Sequence, residues 1–196
     1  MYKRIIPSVL IRNGNAVKGK QFNSSRQACD VISYLQTLSH KNADEICLIN
    51  LDRKLSSNSL STLDLITKNI SCPLSYSGGI RSKEDIQELS RLGVDRFIIG
   101  SLAYDDKKND ILSEIFDLVG AAALSVSIDV LEEDGKYYHL NHDNLDFVEI
   151  NIIEKIKKLN DIGFSEIIIT SINNDGLMIG LPSYFENFLE EVNIKN

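Results

Sequence analysis

Short runs rich in Val, Ile and Leu alternate with amphipathic stretches along the whole chain. Six runs have the length and composition of β-strands, and they span residues 4–11, 45–51, 74–77, 96–99, 124–131 and 166–171. After each run, apolar residues recur every three or four positions, as on one face of a helix, over residues 25–39, 60–69, 83–92, 110–118, 148–162 and 183–192. This strand-then-helix order predicts an α/β fold whose parallel strands are joined by helical crossovers.

Two local signals refine these assignments. Ser82 precedes Asp85 by three positions, which is the spacing of a hydroxyl and a carboxylate that cap a helix start, so a helix is expected to begin at Lys83. Asp134-Gly135 is flanked by apolar and aromatic pairs, and this dipeptide favours a tight two-residue turn. We therefore predict a β-hairpin appended to the fifth strand.

The polar residues within the strands distinguish a barrel from an open sheet. In the fifth run, Ser125, Ser127 and Asp129 share one face, because alternate residues of a strand point to opposite sides, and the other face is apolar. An open α/β sheet is covered by helices on both sides and is usually apolar on both. The pattern predicts a parallel (βα)-barrel of TIM type with a partly polar interior, as a single domain over residues 1–196. Serines tolerated in an ordinary core are the alternative.

Composition narrows the classes of function. A chain of 196 residues with 43% hydrophobic content is long enough to bury a sizeable core in one domain. The net charge is -7 and the basic residues are scattered, which disfavours a nucleic-acid partner because nucleic-acid surfaces need clustered Lys and Arg. No apolar run approaches the roughly 18 residues that a membrane span requires. We expect a cytoplasmic protein with neither a nucleic-acid nor a membrane partner.

The cysteines and histidines give no reason to invoke a metal or another cofactor. The three cysteines lack metal or disulfide spacing, and we interpret them as reduced thiols in or near the core: Cys29, Cys47 and Cys72. The three histidines form no ligand set either, and we interpret them as residues of surface loops: His40, His139 and His142.

The C-terminal ends of the strands, where parallel barrels carry their function, hold glycines and carboxylates. The third and fourth runs end in Gly78-Gly79 and Gly100-Ser101, and glycines before a helix start let backbone N–H groups approach a phosphate. Tight turns alone would give the same pattern. Asp129 ends the fifth run and Asp175 follows the sixth. Placed at opposite sides of one mouth they would act as general acid and base, although solvated loop aspartates look the same in sequence.

The opposite ends of the strands carry charges of both signs. Four charged residues stand directly before apolar runs: Arg4, Glu45, Arg96 and Glu166. If they converge at the bottom of a barrel, their mutual pairing offsets much of the cost of removing them from water, and they form a plug. Four separate, solvated residues are the alternative.

A family resemblance accounts for the polar residues at both ends of the predicted strands. Motifs at nearly every strand, in order, resemble those of the cyclase subunit of imidazole glycerol phosphate synthase, a barrel of histidine biosynthesis. They are Arg4-Ile5-Ile6-Pro7, Asn13-Gly14, Val17-Lys18-Gly19, Ala43-Asp44-Glu45, Gly78-Gly79-Ile80-Arg81, Gly93-Val94-Asp95-Arg96, Ser127-Ile128-Asp129 and the stretch 166–176.

The resemblance implies a partner and a set of roles. In that family the barrel receives ammonia from a separate glutaminase subunit, past a ring of charged gate residues, and delivers it to a phosphorylated substrate at the opposite end. The gate positions correspond to Arg4, Glu45, Arg96 and Glu166. The catalytic positions correspond to Asp129, Asp175 and the first-loop residue Lys18. The phosphate-side positions correspond to Gly78, Gly79, Gly100 and Ser101.

Departures from the family bear on the reaction. The second catalytic aspartate of the family ends the first strand, where this chain has Leu10; Asn50 replaces another aspartate and Ser77 replaces a glycine. An apolar ending of the first strand resembles a paralogous branch associated with amidation of a surface-polysaccharide sugar, whose substrate would be phosphorylated or nucleotide-linked. We therefore expect an ammonia-accepting synthase subunit of that branch. An authentic cyclase and a non-catalytic barrel that activates its glutaminase remain alternatives.

The number of modules is a further departure. Six βα modules are evident, and the seventh and eighth modules of the family, which carry its second phosphate site, have no counterpart in the sequence. The expectation is that the native chain is longer or that a partner or second copy covers the unpaired strand edges.

Overall fold

The computed structural model describes residues 3–192. Within that range ten strands form one mixed sheet. Its centre consists of parallel neighbours in the order β1 (Ser8–Arg12), β4 (Ile46–Asn50), β5 (Leu74–Ser77), β6 (Arg96–Ile99), β7 (Leu124–Glu133) and β10 (Glu166–Ser171). Antiparallel ribbons extend from β1 and β7, and they comprise β2 (Asn15–Lys20), β3 (Asn23–Cys29), β8 (Lys136–Leu140) and β9 (Phe147–Glu149).

Helices connect the parallel strands, as the sequence pattern predicts. They are α1 (Val31–His40), α2 (Ser57–Thr67), α3 (Lys83–Arg91), α4 (Asn109–Val119), α5 (Ile152–Ile162) and α6 (Tyr184–Val192). The predicted helix start at Lys83 is confirmed, because Ser82 and Asp85 form a reciprocal capping box. The predicted hairpin is also confirmed: Glu133 pairs with Lys136 across Asp134-Gly135, whose φ angles of 51° and 75° suit a tight two-residue turn.

The two faces of the parallel sheet have different environments. One face is packed against the helices and supplies the hydrophobic core, for example Val9, Leu48 and Val126. The residues between them point to the other face, where Cys47, Ser75 and Ser125 are buried outside that core. The strand parity inferred from the sequence therefore separates an apolar helix-facing side from a small, partly polar inner side.

The sheet is strongly curled. Six parallel strands about 4.8 Å apart would place β1 and β10 roughly 24 Å from each other if the sheet were flat. Arg4, just before β1, nevertheless forms an ion pair with Glu166 at the start of β10. At the other end, the backbone N–H of Gln21, between β2 and β3, donates to the carbonyl of Asp175 at 2.9 Å. The α/β prediction is confirmed, and the curled open sheet is consistent with a partial TIM-type barrel.

Several sequence assignments were wrong in detail. A helix was expected over 25–39, but Asp30 caps α1 at Val31 by accepting from the Ser33 N–H, and β3 before it pairs with β2. The helix expected over 148–162 begins at Ile152 because Asn151 caps it, and β9 precedes it. Among the cysteines only Cys47 is buried, Cys72 is half-buried and Cys29 is exposed.

None of the helices within residues 3–192 combines the length and the apolar character needed to cross a membrane.

Candidate functional site

The lower end of the sheet, at the N-termini of the parallel strands, is closed by a ring of four charged side chains from four strands. Glu45 lies 3.1 Å from Arg4 and 3.9 Å from Arg96. Glu166 is paired with Arg4 and lies 2.6 Å from Arg96. Each arginine thus contacts both glutamates, and we call this set the charged ring. The four residues are not separate and solvated, which was the alternative in the sequence.

Burial within the charged ring is uneven. The Glu45 side chain is 7% exposed, whereas that of Arg4 is 41% exposed. Arg96 is mostly buried, and its Nη1 is close to Glu166 without pointing a hydrogen along the line of a hydrogen bond. Next to the ring, the Asp44 carboxylate accepts from the Ile5 N–H at 2.7 Å, which fixes the chain as it enters β1. The ring is therefore held both by its own ion pairs and by the backbone beside it.

Small polar side chains lie on the inner face above the charged ring. Ser8, Cys47 and Ser75 are register neighbours on β1, β4 and β5. Burial raises the pKa of the Cys47 thiol, so the group is neutral at physiological pH. Ser125 is fully buried, and its hydroxyl has no hydrogen-bond partner within the described residues. This inner face offers hydroxyl and thiol groups, with Ile98 beside them, to a small neutral molecule.

The upper end, which we call the mouth, comprises the C-termini of the parallel strands and the loops after them. Asp129 lies on the inner face of β7, beside Thr170 of β10, and is 8% exposed. Its Oδ2 is 2.5 Å from Nε2 of His142, in the loop of residues 141–146 between β8 and β9, which we call the mouth loop. Arg53 holds this loop from the other side by donating to the His142 carbonyl at 2.8 Å. The mouth thus contains a carboxylate–imidazole pair.

A second histidine lies behind this pair. His139 on β8 is buried against the Tyr104 ring, with ring centroids 4.3 Å apart. Burial lowers the pKa of His139 to about 4, so this imidazole is neutral near pH 7. Burial also raises the pKa of Tyr104, with a smaller contribution from the Asp129 carboxylate, and its hydroxyl donates to the Ser127 carbonyl at 2.5 Å. The two rings pack together beside Asp129, and both line the cavity next to the mouth loop.

The other two predicted catalytic residues lie near the β2–β3 hairpin. Asp175 lies in the turn after β10, which is a direct neighbour of β7. Asp129 and Asp175 therefore belong to neighbouring modules and not to opposite sides of the mouth. The Asp175 carboxylate accepts from the Phe22 N–H at 3.3 Å, which docks the hairpin on the loop after β10. Lys18 on β2 is exposed, and within residues 3–192 it forms no ion pair with either aspartate.

The glycines predicted to bind phosphate have a clear packing role. Gly78 and Gly79 both have positive φ angles, 95° and 83°. A Cβ atom at Gly78 would overlap the Asn50 carbonyl oxygen, and one at Gly79 would lie 2.9 Å from the Lys54 backbone. Close approach of the loop after β4 therefore requires glycine at both positions. Gly100 makes no such close approach, and Ser101 begins a short 3₁₀ turn.

Three cationic or hydroxyl groups beside these turns converge on one carboxylate of the mouth loop. Asp143 Oδ1 lies 3.2 Å from Nη2 of Arg81 and 3.2 Å from Oγ of Ser101. Its Oδ2 lies 3.9 Å from Nζ of Lys108, which also pairs with Asp105 at 3.1 Å. The sequence indicated none of these contacts.

The assignment of His139 to a surface loop was wrong, because it is buried in β8. His142 does lie in a loop and is partly exposed, but the sequence did not predict its contact with Asp129. The predicted hairpin was the available signal. It folds β8 back along β7, so the residues that follow β8 return to the mouth. No group of three His, Cys, Asp or Glu side chains in the described part of the chain is arranged to hold a metal ion.

Leu10 places an apolar side chain on the first strand near the mouth. It lies on β1 beside Ile49 of β4 and is only partly buried, outside the hydrophobic core. This part of the wall cannot transfer a proton or accept a hydrogen bond. Asn50, next along β4, is buried and donates to the Tyr76 hydroxyl and the Lys54 carbonyl, so it fixes a loop.

Comparison with known proteins agrees with this architecture. The family model described as "Histidine biosynthesis protein" matches residues 4–195. Three similar proteins bear the name imidazole glycerol phosphate synthase subunit HisF. The one from Exiguobacterium sp. is 29% identical over 195 residues, covering 98% of this chain and 76% of that protein. Those from Chlorobium luteolum and Pyrococcus furiosus are 30% and 29% identical over 181 residues, each covering 91% of this chain and 71% of the relative. This chain belongs to the histidine biosynthesis protein family.

Proposed function

We propose that this chain is a synthase subunit that receives ammonia from a glutaminase subunit through the charged ring and uses it at the mouth. The observation that carries the proposal is the ring itself, in which Arg4, Glu45, Arg96 and Glu166 come from four strands and pair at one end of a curled sheet. Charge-assisted hydrogen bonds are the strong ones in proteins, so such a ring holds one end closed. Because each arginine contacts both glutamates, the side chains can exchange partners when the ring opens. The names of the HisF relatives are consistent with this role.

The inner face supplies the route in this proposal. Ammonia is small and hydrogen-bonds to hydroxyl groups, and Ser8, Ser75, Ser125, Ser127 and Thr170 lie between the ring and the mouth on the face that the helices do not cover. Residues 1–196 act as one domain, with ammonia entering at the ring and the acceptor bound at the mouth.

At the mouth we assign proton transfer to Asp129, with Asp175 and Lys18 as further functional residues. Gly78, Gly79, Gly100 and Ser101 lie on the side assigned to a phosphate group. The acceptor is then a phosphorylated or nucleotide-linked small molecule. General acid–base catalysis by a single residue is worth about 10²–10⁴-fold, so Leu10 argues against the full chemistry of a two-aspartate site.

For this reason we favour amidation of a surface-polysaccharide sugar as the reaction served. The partly exposed, apolar wall at Leu10 and Ile49 supports it. An authentic imidazole glycerol phosphate synthase is the second candidate, because the similar proteins carry that name and Asp129 is on the inner face. A barrel that only activates its glutaminase is the third, favoured by the same Leu10. The genes next to this one distinguish the first two.

The experiment is a pull-down with the glutaminase encoded in the same genome, followed by a glutamine hydrolysis assay. We expect a stable complex and faster hydrolysis when the chain is present. Glu166→Ala should leave both arginines of the ring with Glu45 alone, loosen the ring and uncouple hydrolysis from product formation. Glu88→Ala, which removes an exposed pair with Arg91, should do neither. Absence of both complex and stimulation would refute the proposal. Stimulation without any ammonia-dependent product would select the non-catalytic alternative.

A further inference from the structure

The mouth loop contacts both chemical halves of the mouth through consecutive residues. His142 pairs with the carboxylate of Asp129, and Asp143 pairs with Arg81, Ser101 and Lys108. One residue therefore covers the anionic group of the mouth and the next covers its cationic groups. Both contacts join residues that are distant in sequence: 62 residues separate Arg81 from Asp143, and 13 separate Asp129 from His142.

The groups around Asp143 have the chemistry of a phosphate site. A guanidinium, a hydroxyl and an ammonium come from three separate segments, and guanidinium and ammonium groups are the common ligands of phosphate oxygens. A carboxylate in their midst has the same sign and the same hydrogen-bonding preference as a phosphate. Lys107 lines the adjoining cavity of about 480 Å³ together with Ser101, Tyr104 and Asp143, so a further cation is near.

The mouth loop is built to present this carboxylate. The Asp143 N–H donates to the Asn141 side chain at 2.9 Å, and Leu145 N–H donates to the Asn141 carbonyl at 2.8 Å. Leu145 adopts a φ of 65° and is exposed, a conformation that is unfavourable for a non-glycine residue. The mouth loop is therefore strained at Leu145, and the contacts of His142 and Asp143 hold it in place.

We propose that Asp143 is a tethered substitute for the phosphate group of the acceptor, and that a phosphate monoester binds Arg81, Ser101 and Lys108 by displacing the mouth loop. This inference rests on the proposed function for the identity of the acceptor. It adds regulation of the same site, because the chain's own carboxylate closes the mouth, which opens only to a ligand that competes for the cations. Displacement of Asp143 also carries His142 away from Asp129 and frees that carboxylate for chemistry.

The test is the binding of inorganic phosphate and of ribose 5-phosphate, measured by titration calorimetry at fixed low ionic strength. Asp143→Asn should bind both at least about tenfold more tightly than the unaltered protein, because it removes the competing charge. The matched control is Asp134→Asn at the exposed hairpin tip, which changes the net charge equally and should bind like the unaltered protein. Adding Arg81→Gln to Asp143→Asn should abolish the gain.

A second measurement uses the unaltered chain and does not depend on any variant folding. At saturating phosphate, amide resonances of residues 141–145 should shift together with that of Ser101. Equal affinities for Asp143→Asn and Asp134→Asn, a gain confined to inorganic phosphate, or shifts that spare residues 141–145 would each overturn the inference. None of these measurements includes a glutaminase, so loss of the glutaminase complex would refute the proposed function without touching this result, and the reverse also holds.

Discussion

The two ends of the parallel sheet differ in where the partners of their charged groups come from. At the lower end, the two arginines and two glutamates of the charged ring pair with one another. At the mouth, β1 has Leu10 and no second carboxylate to accompany Asp129. Asp129 is paired with a histidine of the mouth loop. The contrast indicates that the strands themselves supply the pairing at the lower end, whereas the mouth depends on the mouth loop.

The first prediction concerns the lower end and has the largest expected effect. Glu45→Ala should lower the free energy of unfolding by about 3 kcal/mol, because it removes the most buried carboxylate of the charged ring and leaves both arginines with Glu166 as their remaining partner. Urea unfolding followed by circular dichroism measures this. Glu88→Ala, which breaks an exposed pair, should cost no more than about 1 kcal/mol. Equal losses for the two variants would mean that the ring is no more than a surface feature.

The second prediction concerns the mouth. Supplied with ammonium and the phosphorylated ribonucleotide substrate of the synthase, the purified chain should turn over at least about 100-fold more slowly than the Chlorobium luteolum relative. The reason is that the family resemblance assigns an acid–base group to the position of Leu10. Leu10→Asp should raise that rate. Leu10→Asn should not, because asparagine has nearly the shape of aspartate but cannot act as a general acid or base. A rate matching that of the relative would restore the authentic synthase as the leading function.

The third prediction uses the buried His139. Its pKa of about 4 lies below the ordinary value of 6.5, so between these pH values the unfolded chain takes up a proton that the folded chain does not. Stability is therefore complete above about pH 6.5 and falls as the pH drops towards 4, by up to about 3 kcal/mol. His139→Phe should flatten this part of the stability profile. His40→Phe, at the exposed end of α1, should leave the profile unchanged. An unchanged slope in His139→Phe would show that other groups cause the loss.

The parallel strands were predictable because burial dictates their composition. Residues 74–77, 96–99 and 166–171 were assigned with the bounds that the structure has. The β2–β3 ribbon was not, because β3 is polar along its length and its described side chains are exposed. It is held by backbone pairing with β2 and by the docking of residues 21 and 22 on Asp175, neither of which leaves a hydrophobic pattern.

The same distinction applies to the site. The four members of the charged ring were located because each stands directly before an apolar strand, and the family resemblance predicted that they converge. His142 and Asp143 follow no such rule, since their partners Asp129, Arg81 and Ser101 are brought to them by the register of a hairpin. Gly78 and Gly79 were recognised as special, but their sequence could not distinguish a phosphate contact from the close approach of residues 50–54 that the structure has.

The most direct test of the account is the location of the glutaminase on this chain, measured by hydrogen exchange and mass spectrometry with and without the partner. If the lower end receives ammonia, backbone amides of residues 44–46, 95–97 and 165–167 should be protected on binding, and those of the mouth loop, residues 141–146, should exchange at an unchanged rate. Protection confined to the mouth loop, with the lower end unaffected, would contradict entry of ammonia through the charged ring.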